Sequence, residues 1–234
     1  MIIIPMAGLS SRFFRAGYDE PKYKLMAHEK TLFEWSVKTF EKYYDKEKFI
    51  FICRNVYDTP EFLAQQLKKI GITDYEIIVL EDETRGQAET VFLSLDKVET
   101  DTSFVVFNID THEKNFAFYE NENDAYLEVF EGGGDHWSFA LPKNGSNLVE
   151  KTTEKERISN LCSNGVYGFK NKEIFINAYI EMIRQNKGEL YIAPMFNHII
   201  SKNMKVHYKL VGIENHIFMG TPKEYTDFLD VNNV

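Results

Sequence analysis

Short apolar runs alternate with longer segments of helical periodicity through roughly the first 110 residues of the chain. The apolar runs predict buried β-strands, and the segments between them repeat apolar residues three or four positions apart, as on one face of an α-helix. The predicted strands are residues 2–6, 49–53, 75–80 and 104–107, and the predicted helices are residues 32–44, 60–70 and 87–98. This alternation predicts an α/β fold, with a parallel sheet and helices on both faces.

The pattern changes after residue 110, where strands follow one another with turn residues between them. Residues 132–134 are three glycines and residues 143–145 read Lys-Asn-Gly, which are both clear turn signals. The predicted strands here are residues 126–130, 137–141, 165–169 and 206–211, and the predicted helices are residues 172–186, 191–200 and 222–229. We therefore expect a smaller β-rich extension built onto the same sheet, so that residues 1–234 form a single domain.

The composition excludes several classes of protein. A hydrophobic fraction of 44% is ordinary for a globular chain, and a net charge of −9 argues against a nucleic-acid surface. No apolar run approaches the roughly 20 residues that cross a bilayer, and the N-terminus lacks a signal-peptide pattern, so we expect a cytoplasmic protein with no membrane partner. Cys53 and Cys162 are predicted to be buried free thiols. The 19 Phe and 13 Tyr residues are compatible with a homodimer without showing one.

The segment after the first strand combines small and basic residues. It reads Ala7-Gly8-Leu9-Ser10-Ser11-Arg12, and Lys22 follows a stiff turn at Pro21. An amide-rich loop beside cations suits a polyphosphate, although an ordinary loop with solvated charges is equally compatible with the spacing. The segment is not a Walker loop, because the Gly-Lys-Ser/Thr ending is missing. It is not a dinucleotide fingerprint, because the glycine spacing differs and we expect no helix directly after it.

An ordered set of short motifs resembles the nucleotidylyltransferases of the sugar-phosphate type, which have a glycosyltransferase-A-like, Rossmann-like fold. The opening of the chain matches their first signature at Ala7, Gly8, Ser11, Arg12, Pro21, Lys22, Lys30, Leu32 and Glu34. The later matches are residues 86–88, 108–110, 149–151, 164–167 and 220–222. Each motif is weak by itself, but together they cover nearly the whole chain. The resemblance implies an α/β fold with a mixed, mostly parallel sheet.

The resemblance also implies a reaction, in which a substrate phosphate attacks the α-phosphorus of a nucleoside triphosphate and pyrophosphate leaves. Residues 7–12 would bind the nucleotide's departing phosphates. Arg12 and Lys22 are the predicted catalytic residues, with Lys22 at the α-phosphate, where charge builds up. Asp110 would hold the cofactor Mg²⁺. Residues 1–112 would then form a nucleotide-binding half and residues 113–234 an acceptor-binding half.

The base and the acceptor would be recognised by other segments. Gly86 and Gln87 stand where the family has a loop that contacts the base. Glu150, Lys151 and Asn164 would bind the acceptor, with Lys151 at its phosphate. Since Glu150 and Lys151 lie in a run of charged residues, a solvated turn is a serious alternative for both.

Two positions depart from the family pattern. Ser10 replaces a glycine of the first loop, so the loop is strained if Ser10 adopts a positive φ and follows a different course if it does not. Phe218 stands where many relatives have a second metal-binding aspartate, two residues before a Gly-Thr pair. A phenyl ring cannot bind Mg²⁺. Either Asp110 works with phosphates and water alone, or Glu214 or another nearby carboxylate substitutes.

Three functions are therefore open at this point. The opening segment and residues 188–194 resemble the cytidylyltransferases found with bacterial capsule synthesis and phosphoramidate assembly, which implies CTP and a small phosphorylated acceptor such as L-glutamine phosphate. A sugar-1-phosphate cytidylyl- or uridylyltransferase is the first alternative. A non-catalytic nucleotide-binding relative is the second, and Phe218 favours it weakly.

Overall fold

The computed structural model describes residues 1–120, 122–185 and 188–231. The strands are β1 Ile2–Pro5, β2 Met26–Ala27, β3 Lys30–Thr31, β4 Phe49–Arg54, β5 Tyr75–Leu80, β6 Phe104–Phe107, β7 Thr111–Glu113, β8 Ala125–Glu131, β9 Ser138–Pro142, β10 Val149–Glu154, β11 Leu161–Phe169, β12 Val206–Leu210 and β13 His216–Phe218. The α-helices are α1 Ser11–Arg15, α2 Leu32–Val37, α3 Thr59–Ile70, α4 Gln87–Phe92, α5 Lys172–Gln185, α6 Phe196–Ser201 and α7 Pro222–Leu229. Short 3₁₀ helices span Lys22–Lys24, Lys38–Tyr43, Leu95–Lys97, Ala193–Met195 and Ile213–Asn215.

A mixed central sheet organises the described part of the chain. Its main path runs β10-β9-β11-β6-β1-β4-β5, with β8 paired to β11 and β12 paired to β8. Strands β6, β1, β4 and β5 are parallel, whereas β11 pairs antiparallel to β6. The β6–β11 pairing joins strands of the first and second halves within one sheet. The predicted α/β fold, with a mixed and mostly parallel sheet flanked by helices, is confirmed.

The three isoleucines of β1 show why this strand lies at the centre. Ile2, Ile3 and Ile4 have no exposed surface, and full burial of such a side chain contributes about 1.5–3 kcal/mol. Ile3 packs into the apolar cluster on one face of the sheet, and Ile2 and Ile4 pack into the cluster on the other face. A strand buried on both faces gives a continuous apolar run in the sequence, which is why it could be predicted.

The first and last α-helices of the described residues share one apolar cluster. Phe13 of α1, Trp35 of α2 and Phe228 of α7 belong to a third apolar cluster, which also contains the fully buried Met219. This cluster places the start of α7 beside the loop that follows β1.

Helix bounds differ from the predicted ones where tertiary packing interrupts the periodicity. The predicted helix 32–44 is α2 followed by a 3₁₀ helix, inside which Phe40 has a non-helical backbone and packs its ring against Phe107 and Phe116. The predicted helix 87–98 likewise divides after α4, and the predicted helix 191–200 is a 3₁₀ turn followed by α6. The predicted end of α5 at residue 186 lies outside the described residues.

Some elements were not predicted. Helix α1 follows the first loop directly, so the expectation that no helix does so is wrong. Strand β10 was missed because its sequence, Val-Glu-Lys-Thr-Thr-Glu, is largely polar. Cys53 and Cys162 are buried free thiols, as predicted. In the described part of the chain, no helix is both long enough and apolar enough to cross a membrane.

Candidate active site

A cleft of about 690 Å³ opens beyond the carboxyl ends of β1 and β6. Its first wall comes from residues 5–13, 22–23, 83–87 and 108–111. Its second wall comes from residues 136–138, 154–155, 163–165 and 220–221 together with Glu189, Tyr191, Phe218 and Glu224. Ligands of open α/β sheets bind at this end of the strands. A larger cavity of about 860 Å³ lies near Met1 and Phe104, at the amino ends of the strands, and contains none of the predicted site residues.

The predicted phosphate loop, residues 7–12, lines the first wall. Ser10 has φ 49° and ψ 28°, so the strained alternative is the one the loop adopts, at a cost of about 1–3 kcal/mol. The turn lets the Ser10 carbonyl accept hydrogen bonds from the N–H groups of Phe13 and Phe14, which starts α1. The Ser10 hydroxyl accepts a hydrogen bond from the Lys22 N–H at 3.2 Å. This hydrogen bond joins the loop to the segment that carries Lys22.

Lys22 and Asp110, which are 88 residues apart in the chain, form an ion pair in the cleft. The Lys22 Nζ lies 2.8 Å from Asp110 Oδ2, and both side chains are partly exposed. Arg12 is exposed at the same wall and forms no ion pair with another described residue. The cations Arg12 and Lys22 and the Asp110 carboxylate thus lie in the cleft beside a loop of backbone amides, which suits a polyphosphate with a divalent cation.

Gly86 lies where the first wall meets the second. Its φ is 146°, and a Cβ at this position would lie 2.6 Å from the Leu190 carbonyl oxygen. The close approach allows Leu190 to donate a hydrogen bond to the Arg85 carbonyl and accept one from the Ala88 N–H, both at 2.9 Å. Gln87 lines the cleft, and its side-chain amide donates a hydrogen bond to Asn108 Oδ1. Base contact by Gly86 and Gln87 stays a prediction.

The structure separates the predicted acceptor residues. Glu150 and Lys151 are exposed on β10 and do not line the cleft, whereas Glu154 and Lys155, at the end of the same strand, do. The Lys155 Nζ lies 4.4 Å from the centre of the Tyr191 ring and 2.5 Å from the Tyr191 hydroxyl. Burial raises the pKa of Glu154. The Glu-Lys pair that reaches the cleft is thus the second of the two such pairs in residues 149–155.

Asn164 lines the floor of the cleft but is only 2% exposed. Its side-chain amide donates hydrogen bonds to Glu113 Oε2 at 2.9 Å and Glu128 Oε2 at 3.3 Å. Burial, with Glu128 alongside, raises the pKa of Glu113 above its usual range. Lys209 forms an ion pair with Glu128 at 2.7 Å. An acceptor contact through the Asn164 amide would break two buried hydrogen bonds. Asn164 therefore stabilises the base of the cleft by holding these carboxyl groups in place.

A solved structure shares this whole arrangement of elements. The nucleoside-diphosphate-sugar pyrophosphorylase from Vibrio cholerae RC9 is 50% identical to this chain, with a TM-score of 0.94, over 99% of this chain and 100% of that one. The chain belongs to this pyrophosphorylase family. It is therefore a nucleotidyltransferase, which goes against the alternative of a non-catalytic relative.

Two more distant structures share the fold of this pyrophosphorylase family member. The inositol-1-phosphate CTP transferase from T. maritima is 17% identical, with a TM-score of 0.77, over 97% of this chain and 94% of that one. The CTP:phosphocholine cytidylyltransferase from Streptococcus pneumoniae is 14% identical, with a TM-score of 0.75, over 98% of this chain and 97% of that one. No protein-family model and no curated protein matches the chain.

The residues of this nucleotidyltransferase fit a divalent cation of the Mg²⁺ type beside Asp110. A Cβ on Gly220 would lie 3.1 Å from Asp110 Oδ2 and 3.5 Å from Glu224 Oε2, so the absent side chain leaves a space bordered by two carboxylates. Mg²⁺ prefers oxygen ligands and usually takes one or two carboxylates plus substrate phosphates and water. Across the described residues, no group of three His, Cys, Asp or Glu side chains could hold a metal by itself.

Sequence reasoning missed three residues of the second wall. The sequence marks Lys155 only as part of a Glu-Lys pair four residues after Glu150-Lys151, and Glu224 only as a carboxylate four residues after Gly220. His136 has no comparable signal, because only the fold brings its Nε2 to 3.9 Å from Glu224 Oε1. Glu214, named as a substitute for the missing aspartate, does not line the cleft.

Proposed function

We propose that this enzyme transfers CMP from CTP to the phosphate of a small acceptor and releases pyrophosphate. The ion pair between Lys22 and Asp110, set beside the loop of residues 7–12, carries the proposal. An oxygen of the acceptor phosphate attacks the α-phosphorus of CTP, and the bond between the α-phosphorus and the bridging oxygen breaks, so that the electron pair leaves with pyrophosphate.

The first wall supports this reaction by positioning and charge. The amides of residues 7–11 and the Arg12 guanidinium bind the β- and γ-phosphates, and Lys22 donates to the α-phosphate, where negative charge builds up. Asp110 holds Mg²⁺, which neutralises phosphate charge when bound. Gly86 and Gln87 contact the base. Such preorganised groups contribute electrostatic stabilisation without reorganisation during the reaction.

The second wall supports a small acceptor with hydrogen-bond donors. Lys155 binds the acceptor phosphate in this proposal, in place of Lys151, because Lys155 lines the cleft. The carboxylates of Glu154 and Glu189 line the same side and can accept hydrogen bonds from an amino group or hydroxyls. Asn164 would act by holding the floor beneath the acceptor.

CTP and L-glutamine phosphate are our specific choice of substrates. The opening segment and residues 188–194 look most like the CTP:phosphoglutamine cytidylyltransferase of capsular phosphoramidate assembly. Two proteins with the same fold are named for CTP reactions, one an inositol-1-phosphate CTP transferase and the other a CTP:phosphocholine cytidylyltransferase. The second candidate is a sugar-1-phosphate nucleotidylyltransferase, favoured by the 50% identical relative, which is called a nucleoside-diphosphate-sugar pyrophosphorylase.

Pyrophosphate release over a grid of substrates separates the two candidates. Four nucleoside triphosphates are each combined with L-glutamine phosphorylated on its side-chain amide, phosphocholine and several sugar-1-phosphates, and products are identified by mass spectrometry. We expect release with CTP and phosphoglutamine, with a CDP-linked product. Release only with sugar phosphates would establish the second candidate instead. The Asp110→Ala enzyme, prepared in the same way, controls for contaminating activity.

A further inference from the structure

Position 218 leaves the cleft without the second metal-binding aspartate of many relatives. The Phe218 ring packs against Phe130 and Trp137, with ring centres 4.8 and 4.9 Å apart. This side chain provides no oxygen ligand. A second carboxylate at the Mg²⁺ site must therefore come from elsewhere in the chain.

We propose that Glu224 is the second carboxylate of the Mg²⁺ site, opposite Asp110. This inference rests on the proposed nucleotidyl transfer, because it concerns the metal of that reaction. Glu224 lines the cleft, and its Oε2 and the Asp110 Oδ2 both border the space that Gly220 leaves open. A larger residue at 220 would place its Cβ 3.1 Å from the first oxygen and 3.5 Å from the second.

The backbone holds both carboxylates in place. The Met219 N–H donates a hydrogen bond to the Asp110 carbonyl at 2.8 Å, which fixes the segment before Gly220 against the turn that carries Asp110. Thr221 and Glu224 then form a capping box at the start of α7, in which Glu224 Oε2 accepts from the Thr221 N–H at 2.9 Å. A ligand held this way loses little conformational entropy when the metal binds.

A second capping box in the molecule shows that this motif alone does not direct a carboxylate to the cleft. Glu34 caps α2 through Thr31 in the same way, but it is 6% exposed and forms an ion pair with Lys69 at 2.7 Å. Glu224 forms no ion pair with a lysine or arginine of the described residues. Its Oε1 instead lies in the cleft, 3.9 Å from His136 Nε2. The Glu224 carboxylate is thus available to bind a cation from solution, whereas that of Glu34 is paired with Lys69.

Direct measurement of Mn²⁺ binding tests this role independently of turnover. The probe is Mn²⁺, followed by electron paramagnetic resonance, with the enzyme and the non-cleavable α,β-methylene analogue of CTP. We expect Glu224→Gln to weaken Mn²⁺ binding at least about tenfold, since loss of even an outer-shell partner costs about 10–100-fold in metal affinity. Glutamine can still close the capping box, so the variant should fold.

Two further variants provide the controls. Asp227→Asn removes a charge from the same helix, where Asp227 pairs with Lys223 outside the cleft, and should change Mn²⁺ affinity less than about twofold. Glu214→Gln tests the rival carboxylate and should do the same. The proposal is overturned if Glu224→Gln binds Mn²⁺ like the wild type, or if Glu214→Gln is the weakened variant.

The same titration with the UTP analogue separates this proposal from the proposed function. Mn²⁺ binding by the wild type with the UTP analogue alone would contradict the choice of CTP, and the Glu224 variant would then be judged with that analogue. A wild type that binds no Mn²⁺ with either analogue would overturn the Glu224 role, while the pyrophosphate grid would still decide the reaction.

Discussion

The two walls of the cleft are built in different ways. The first wall comes from four segments of the first half of the chain, and its main charges are those of Arg12, Lys22 and Asp110. The second wall comes from segments spread over about 90 residues, and it combines carboxylates with aromatic rings such as Trp137 and Tyr191. The first wall is suited to one kind of ligand, a polyphosphate. The second offers mixed contacts, so substrate differences within the family should arise there.

Removal of a charged group from the first wall should have the largest effect. We expect Lys22→Ala and Asp110→Ala each to lower kcat at least about a hundredfold, because a preorganised group at a developing charge contributes about 3–4 kcal/mol. Steady-state pyrophosphate release measures the loss, and circular dichroism with thermal unfolding checks the fold.

Lys24 provides a matched control for Lys22. It lies on the same 3₁₀ helix but outside the cleft, and its ammonium donates a hydrogen bond to the Tyr57 carbonyl. Lys24→Ala should keep kcat within about threefold. Near-normal turnover of Lys22→Ala or Asp110→Ala would remove that residue from the mechanism. It would also contradict the view that the charges of the first wall stabilise the polyphosphate during the reaction.

How well each wall could be predicted depends on whether its residues lie close together in the sequence. Strand β1 and the loop after it are contiguous, so their pattern and motif could be interpreted together, and Asp110 follows a buried strand directly. Helix α1 escaped prediction because it has only five residues and starts from Ser10 in a left-handed conformation. Lys155 could not be chosen over Lys151 without knowing where β10 ends. Glu224 could not be singled out from the sequence, because a glutamate three residues after Thr221 also fits a helix-capping box.

Substitutions in the Glu-Lys pairs at residues 150–151 and 154–155 should have a smaller effect, on acceptor binding by the second wall. Lys155→Met removes the ammonium but keeps an apolar stem to pack on Tyr191. Because a hydrogen bond to a charged group contributes about 1.5–3 kcal/mol, we expect kcat/KM for the acceptor to fall at least about tenfold, with little change in the KM for nucleotide. Steady-state kinetics at varied acceptor concentration measures it.

Lys151→Met is the matched variant for that experiment. Lys151 is exposed on the same strand and outside the cleft, so its loss should change acceptor kcat/KM by less than about twofold. If Lys151→Met lowered acceptor kcat/KM more than Lys155→Met, the acceptor would contact Lys151, as predicted from the sequence. The acceptor site would then lie along β10 and not at the second wall of the cleft.

Gly86 tests whether the two walls act independently. In Gly86→Ala, the new Cβ would lie 2.6 Å from the oxygen and 2.7 Å from the nitrogen of Leu190, at a φ of 146° that disfavours any side chain. The strain should lower the free energy of unfolding by about 1–3 kcal/mol. Because Leu190 bonds to both Arg85 and Ala88, relief of the clash must move the segment that carries Glu189 and Tyr191 away from the base loop.

Movement of that segment should raise the KM for nucleotide and the KM for acceptor together, each by a few fold, which steady-state kinetics with both substrates varied would measure. Gly133→Ala is the control, because a Cβ there meets no atom within 4 Å. An increase confined to the nucleotide KM would mean that the acceptor side does not depend on the base loop. A joint increase would mean that base recognition and acceptor recognition share one hydrogen-bonded backbone unit, although their side chains come from opposite halves of the chain.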